Sequence, residues 1–472
     1  MERQQLTRSF QEPQELVKAA LHASYGLTFL HGVVAGEAGE AMFALLRQLI
    51  EPEIDPHAIA TTYTQALRAL ASTAYDSATI PLRDAWQAYL VTRLLEDRNL
   101  WSTQVERAGR DSIAPALHAQ ARRDLRTLQR LFSLDAEMLW RLASTLVAPA
   151  LPELQDAWIP WYDLIPSPPT EQRDARTMVA GQIAASSDWE TLIEPLEEHW
   201  SRYGTGPLAR YQALRWQGAT AQLVGIPHPD PIQLGGLIGH ERQQTRLRSN
   251  IERFIAGLPA HDMLLYGPPG TGKSSTIKAL ANAFADQGVR LVEISKDDLT
   301  SLPQLLAQLR GRAPHYLLFI DDLSFEEHET EYKTLKVALE GTAEARPTNV
   351  LIAATSNRLN LVQERFIDRA HTSEDVNWRD TMDEKHSLVH RFGLRVTFLS
   401  PDQEQYLSIA QELARQRGLT IPAETLRARA LQWERQHVGR SGRLARQFID
   451  EIAAETLMEQ QAQVVHTHSS NA

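Results

Sequence analysis

The chain contains no cysteine, which excludes a disulfide framework, thiolate metal sites and a cysteine nucleophile. Lysine is almost as scarce. There are seven, none of them between residues 19 and 272, against 41 arginines, an imbalance read as genome composition rather than chemistry. No uninterrupted apolar run approaches the ~20 residues that a membrane-spanning helix requires. The opening stretch, MERQQLTRSFQEPQE, is too polar to read as a secretory signal, so a cytoplasmic location without membrane contact is the expectation. Basic charge is also missing. The net charge is −11, and no segment has the strongly basic character of a nucleic-acid binder.

What remains is an ordinary globular composition, 43% hydrophobic and 23% charged over 472 residues, enough for about three domains as a prior from length. The acidity is uneven. Residues 1–230 hold 20 Lys/Arg against 28 Asp/Glu, a net of −8. That half reads as helical, because apolar residues recur at three- and four-residue spacing in 14–24, 38–50, 81–95 and 115–132. A connector at 148–170 with six prolines and three aromatics is expected to be ordered but irregular. Helical pattern returns over 187–216, where clustered Trp and Tyr residues read as packing rather than as a ligand platform.

The pattern changes after GIPHPDPIQLGG (225–236). Short apolar runs then alternate with helices: MLLYG (263–267), RLVEIS (290–295), YLLFI (316–320), NVLIAATS (349–356) and RVTFLS (395–400). Near-continuous apolar strands separated by helices predict a five-stranded parallel sheet covered on both faces. From residue 401 the chain is helical again, with starts near Pro401, Pro422 and Ser441 and a frayed tail, VVHTHSSNA. Three domains follow: an all-α domain over 1–225, an α/β core over 226–400 and a helical segment over 401–472.

The sharpest motif is GPPGTGKS at 267–274, followed by Ser275 and preceded by an apolar strand. Gly267, Gly270 and Gly272 allow the loop that includes Pro268, Pro269 and Thr271 to curl so that the N–H groups of its non-proline residues point at phosphate oxygens. Lys273 sets a cation against the β/γ-phosphates, and the Ser274 hydroxyl is a ligand for Mg²⁺. The helix that follows turns its positive end toward the anion. Downstream, YLLFIDDLSFEE (316–327) places Asp321 at the carboxyl end of a buried strand, where it would hold Mg²⁺ through its water shell. Asp322 is placed to orient or deprotonate an attacking water. Asn357, ending the next apolar strand, would reach the γ-phosphate or that water, with Thr355 or Ser356 as substitutes. The cofactors expected are ATP and Mg²⁺. The sixteen histidines show no ligand spacing for another metal, and His240 reads as a turn or adenine-edge residue.

In this order the motifs resemble the AAA+ ATPase superfamily over about residues 230–460. More narrowly, LIGHE, LLYGPPGTGKSS, DDLSFE, YKTLKVALEG, NVLIAATSNR and EKHSLVHRFGL resemble an uncharacterised bacterial AAA+ family known as a domain of unknown function. The resemblance implies a P-loop AAA+ core with a C-terminal helical lid over 401–472. It places LIGHE, with Ile238 and Gly239, near the adenine. It also makes HRFGLRVTF (390–398) the segment of an arginine finger, Arg391, with Arg358, Arg365 and Arg395 as rivals, and GRSGRLARQF (439–448) a sensor whose arginine is Arg443.

Two departures stand out. Most AAA+ ATPases carry Glu where Asp322 stands, so slower hydrolysis, or help from Glu326, is implied. The segment SKDDLTSLPQLL (295–306) lacks the aromatic-apolar-Gly loop with which many AAA+ unfoldases grip polypeptide, which disfavours a peptide-threading motor. The main reading is therefore an ATPase that remodels or assembles a macromolecular partner and self-associates so that a neighbour supplies Arg391. The alternative is an ATP-controlled switch or loader with little turnover. Nucleic-acid remodelling rests only on Arg440, Arg443 and Arg446, a patch that a solvated helix face explains equally well. A small-molecule kinase is disfavoured by Arg443 and the long C-terminal helices.

Overall fold

The computed structural model describes residues 2–74, 80–154, 158–162, 164, 175–325, 331–340, 345–357, 388–437 and 439–469. The chain divides into two units. One comprises Met1–Arg210 with Arg312–Pro314, and the other Tyr211–Gly311 with His315–Ala472.

The first unit is built from helices, among them Glu37–Ile50, Pro56–Thr73, Ala85–Glu96, Pro115–Phe132, Ala136–Val147 and Ile193–Tyr203. Their apolar faces meet in one core that buries Trp86, Trp101, Trp161, Trp189 and Trp200. Two of these rings, Trp101 and Trp200, meet edge to face with centroids 4.7 Å apart, a preferred aromatic geometry. Helix starts are fixed by side chains. Asp84 accepts from the backbone N–H of Trp86 at 2.8 Å and of Gln87 at 3.2 Å, and its second oxygen accepts from Ala136 at 2.6 Å. One buried carboxylate thus caps two helices.

The second unit holds a seven-stranded sheet rather than the five strands expected. In chain order the strands are β1 (Ala213–Gln217), β2 (Gln222–Gly225), β3 (Met263–Tyr266), β4 (Val289–Ile294), β5 (His315–Ile320), β6 (Val350–Ser356) and β7 (Leu394–Thr397). Their spatial order is β2-β1-β4-β5-β6-β3-β7. β2 runs antiparallel to β1, and all other pairs are parallel. The five apolar runs became β3 to β7. The extra pair comes from a stretch expected to be partly helical. Gly204 and Gly206 adopt φ of +75° and +86° and stop the helix at Tyr203, after which ALRWQ alternates buried and exposed residues as a strand does. The helical unit accordingly ends at Arg210, and residues 213–225 extend the sheet. The hairpin is pinned there by a bond from Trp216 Nε1 to Ser301 Oγ at 2.7 Å.

Three helices after the sheet, Gln403–Gln416, Ala423–Gln436 and Gly442–Ser469, share a separate core of Tyr406, Leu426, Ala430, Phe448, Ile449 and Ile452. The last continues to Ser469, past the start of the expected frayed tail, since no Gly or Pro follows Gly442 before that point. Among the described residues no helix is long and apolar enough to cross a membrane.

Candidate functional site

Strand order sets the site. β3 lies between β6 and β7, and β6 lies between β3 and β5, so the loops after β5, β6 and β3 emerge side by side at the carboxyl edge. Ligands of open α/β sheets bind at such a switch point. The register pairs Tyr266 with Ser356 and Ile320 with Ala354. It brings the residues that follow, Gly267, Asn357 and Asp321, to one place.

The loop after β3 needs its glycines. Gly267, Gly270 and Gly272 have φ of +149°, +76° and +94°, a region in which side chains with a Cβ are strained. A Cβ on Gly267 would lie 1.9 Å from the Phe398 carbonyl, and one on Gly270 would lie 2.9 Å from Ser441 Oγ. Helix Lys273–Ala283 starts directly after Gly272, so its unpaired N–H groups open into the same space.

Lys273 is 6% exposed. Its Nζ donates to the Gly267 carbonyl at 2.7 Å, the Pro268 carbonyl at 2.9 Å and Asn357 Oδ1 at 3.0 Å. Burial pushes its pKa below the usual lysine value, Asp322 and Asp321 push it back up, and Arg443 lowers it. Ser274 Oγ donates to Asp321 Oδ1 at 2.6 Å, and Thr355 Oγ1 donates to the same oxygen at 2.5 Å. Asp322 has φ +50°, a conformation Asp tolerates better than most residues. Its backbone N–H donates to Thr355 Oγ1 at 2.9 Å, and its Oδ1 accepts from Asn357 Nδ2 at 2.7 Å.

These groups line one cavity of about 680 Å³, a size suited to a small-molecule ligand. Pro269, Gly270, Thr271, Gly272, Lys273, Ser274, Ser275, Asp321, Asp322, Asn357, Ile238, Gly239 and Arg443 all face it. Gly267 and Pro268 act one layer back, through their carbonyls on Lys273. The segment Leu237–His240 is held by Gln244, whose Nε2 donates to the carbonyls of Leu237 and Gly239, each at 3.1 Å. His240 stands at φ +63°, its ring 4.7 Å from that of Phe398, and burial lowers its pKa. Gln405, Ser408, Ile409 and Leu413, one face of helix Gln403–Gln416, close the cavity opposite.

Arg391 precedes β7 and does not line the cavity, nor does its rival Arg395. Glu326 and the other rivals, Arg358 and Arg365, lie outside the described residues. The sequence offers Thr355 only as a substitute for Asn357, whereas the structure makes it a partner of the Asp321 carboxylate and of the Asp322 backbone N–H. Arg446, which the sequence groups with Arg440 and Arg443 in one basic patch, lines the cavity.

For Mg²⁺ the donor set fits. Ser274 Oγ and Asp321 Oδ1 are hard oxygen ligands held together, and Mg²⁺ takes few protein ligands, completing its shell with water and phosphate oxygens. No cluster of three or more His, Asp or Glu suited to a protein-only metal cage occurs among the described residues.

A glycine-rich loop between strand and helix, two carboxylates at the end of a nearby strand and a helical lid define an AAA+ ATPase module. Residues 209–456 match the family described as "Protein of unknown function (DUF815)", and the chain belongs to that family. Among curated proteins, an AAA-ATPase of Arabidopsis thaliana is 34% identical over 109 residues, 21% of each chain. Replication factor C subunit 3 of Schizosaccharomyces pombe is 26% identical over 150 residues, 31% of this chain and 43% of that protein. The chain thus spans less than half the length of these two relatives. Among solved structures, the RuvB Holliday junction branch migration motor of Thermotoga maritima aligns at TM-score 0.35 and 17% identity, covering 49% of this chain and 67% of that one.

Proposed function

We infer that the chain binds ATP with Mg²⁺ in this cavity and hydrolyses it to remodel or assemble a macromolecular partner. The observation that carries this reading is the convergence beside the phosphate loop of two hydrogen-bonded sets, Lys273–Asn357–Asp322 and Ser274–Asp321–Thr355. Ser274 and Asp321 would hold Mg²⁺, which would neutralise charge on the β- and γ-phosphates. Lys273, released from Asn357, would turn that donor onto the γ-phosphate while the Gly267 and Pro268 carbonyls hold its ammonium in place. Asp322 would accept a proton from the attacking water, and Asn357 would orient that water. Arg443 would report the nucleotide from the lid. Arg391 would act on the site of an adjacent copy, which would require an oligomer at least while ATP is bound.

Replacing Lys273 by Ala tests the reading. Binding of a fluorescent ATP analogue to the full chain should disappear, and unchanged affinity would overturn the assignment.

A second reading, an ATP-controlled switch with little turnover, is favoured by one observation. Asp322 carries the shorter acidic side chain and is tied to Asn357 at 2.7 Å. Steady-state phosphate release separates the two. A robust rate from the purified chain removes the motive for the switch.

A further inference from the structure

Three arginines near the start of the last lid helix do not share one environment. Arg440 turns into the lid, where its Nε donates to Glu434 at 2.6 Å and its Nη2 to Gln403 Oε1 at 3.3 Å. Arg443 and Arg446 instead both line the cavity. They are three residues apart on helix Gly442–Ser469, so they project from one face. Both are exposed, and neither guanidinium has an acidic partner among the described residues. Two cations that face a cavity with no acidic partner among the described residues suit an anionic ligand.

Their places along the cavity differ. Arg443 sits against the phosphate loop. Its N–H donates to the Gly270 carbonyl at 3.3 Å, a Cβ on Gly270 would lie 3.3 Å from its Cβ, and its charge is felt by Lys273. Arg446 follows three residues later, about 4.5 Å along the helix axis, and lines the same cavity as Gln405 and Ser408.

We propose that Arg446 is a second nucleotide-contacting arginine of the lid, gripping the α- or β-phosphate while Arg443 addresses the γ-phosphate. This rests on the reading of the cavity as an ATP site. A guanidinium suits the task because its planar fork binds phosphate oxygens in pairs. The division of labour has a consequence. A contact on phosphates common to ADP and ATP holds the lid on both nucleotides, so Arg446 sets affinity and Arg443 sets discrimination between them.

The test titrates the full chain with fluorescent analogues of ATP and ADP, comparing wild type with Arg446→Ala, Arg446→Gln, Arg446→Lys and Arg443→Ala. Arg446→Ala should weaken ATP and ADP by the same factor, about tenfold for a lost charge-assisted hydrogen bond. Arg446→Gln, which keeps most of the side chain's length without the charge, should match it, and Arg446→Lys should recover part of the loss. Arg443→Ala should weaken ATP more than ADP. Unchanged affinity of both nucleotides for Arg446→Ala and Arg446→Gln overturns the proposal, as does a loss confined to ATP. Failure of the underlying site reading looks different, because wild type would then bind neither nucleotide or Lys273→Ala would bind both normally.

Discussion

Asn357 donates its Nδ2 to Asp322 Oδ1 at 2.7 Å, and its own Oδ1 accepts from Lys273 at 3.0 Å. One amide therefore holds both the Lys273 cation proposed to meet the γ-phosphate and the Asp322 carboxylate proposed to meet the water. Each partner restrains the other until an anion competes for Lys273. Asn357→Ala should leave ATP affinity within a few-fold of wild type, because the phosphate loop is intact. It should lower turnover by about 100-fold, the scale on which loss of one positioned polar group acts. Phosphate-release kinetics beside an affinity titration checks this, and an equal loss in both would show that Asn357 serves binding instead.

Thr355 supports the same centre from inside the sheet. It is 1% exposed, donates to Asp321 Oδ1 and accepts from the Asp322 N–H. Thr355→Val keeps the volume and removes both bonds. Leaving these groups short of partners should destabilise the α/β unit by about 1–3 kcal/mol and raise the Mg²⁺ concentration needed for half-maximal turnover. Thr355→Ser, which keeps the hydroxyl, should restore most of both. Urea midpoints and Mg²⁺ titrations of the two variants decide it.

The parts of the site that were legible in the sequence are those in which one residue type has one physical use. Gly267, Gly270 and Gly272 stand where positive φ demands glycine, and each of β3 to β7 is a short apolar run ended by a turn. What escaped needed a neighbour to be known. β1 is five residues of alternation lodged after a run of helix pattern, and only its pairing with β2 and β4 settles it as a strand. Thr355 reads from the sequence as a substitute for Asn357, and its bond to Asp321 follows only from the pairing of the two strands. The spacing of Arg440, Arg443 and Arg446 describes one helix face, yet the helix begins at Gly442, so Arg440 falls in the preceding turn and pairs elsewhere.

Gly270 ties the phosphate loop to the lid. At φ +76°, with Ser441 Oγ and Cβ 2.9 and 3.0 Å from the place of a Cβ, Gly270→Ala meets both backbone strain and a clash. Gly272→Ala meets strain alone, since nothing lies within 4 Å of its Cβ position. Strain of this kind costs about 1–2 kcal/mol per residue. ATP affinity should therefore fall more for Gly270→Ala than for Gly272→Ala, and Ser441→Gly should recover part of the former. Equal losses in the two alanine variants would mean that the lid yields freely at Ser441.

Asp84 predicts how the helical unit responds to pH. It is 3% exposed, and burial pushes its pKa from 3.8 up to about 6, against the pull of three N–H donors from Ala136, Gln87 and Trp86. In the unfolded chain the carboxyl loses its proton near 3.8, whereas in the folded chain it keeps it to about 6. Between those values the native state binds the extra proton, so stability falls as pH rises through the window and levels off above it. The full change is at most about 3 kcal/mol, at roughly 1.4 kcal/mol per pKa unit. Asp84→Asn removes the titration. The wild-type stability minus that of the variant should therefore decrease from pH 4 to pH 6 and stay constant from pH 6.5 to 8. Urea unfolding followed by tryptophan fluorescence suits the measurement, since Trp86 donates its ring N–H to Leu131 in the same core. A difference that is flat from pH 4 upward would place the Asp84 carboxyl at its ordinary value, with the three N–H donors outweighing burial.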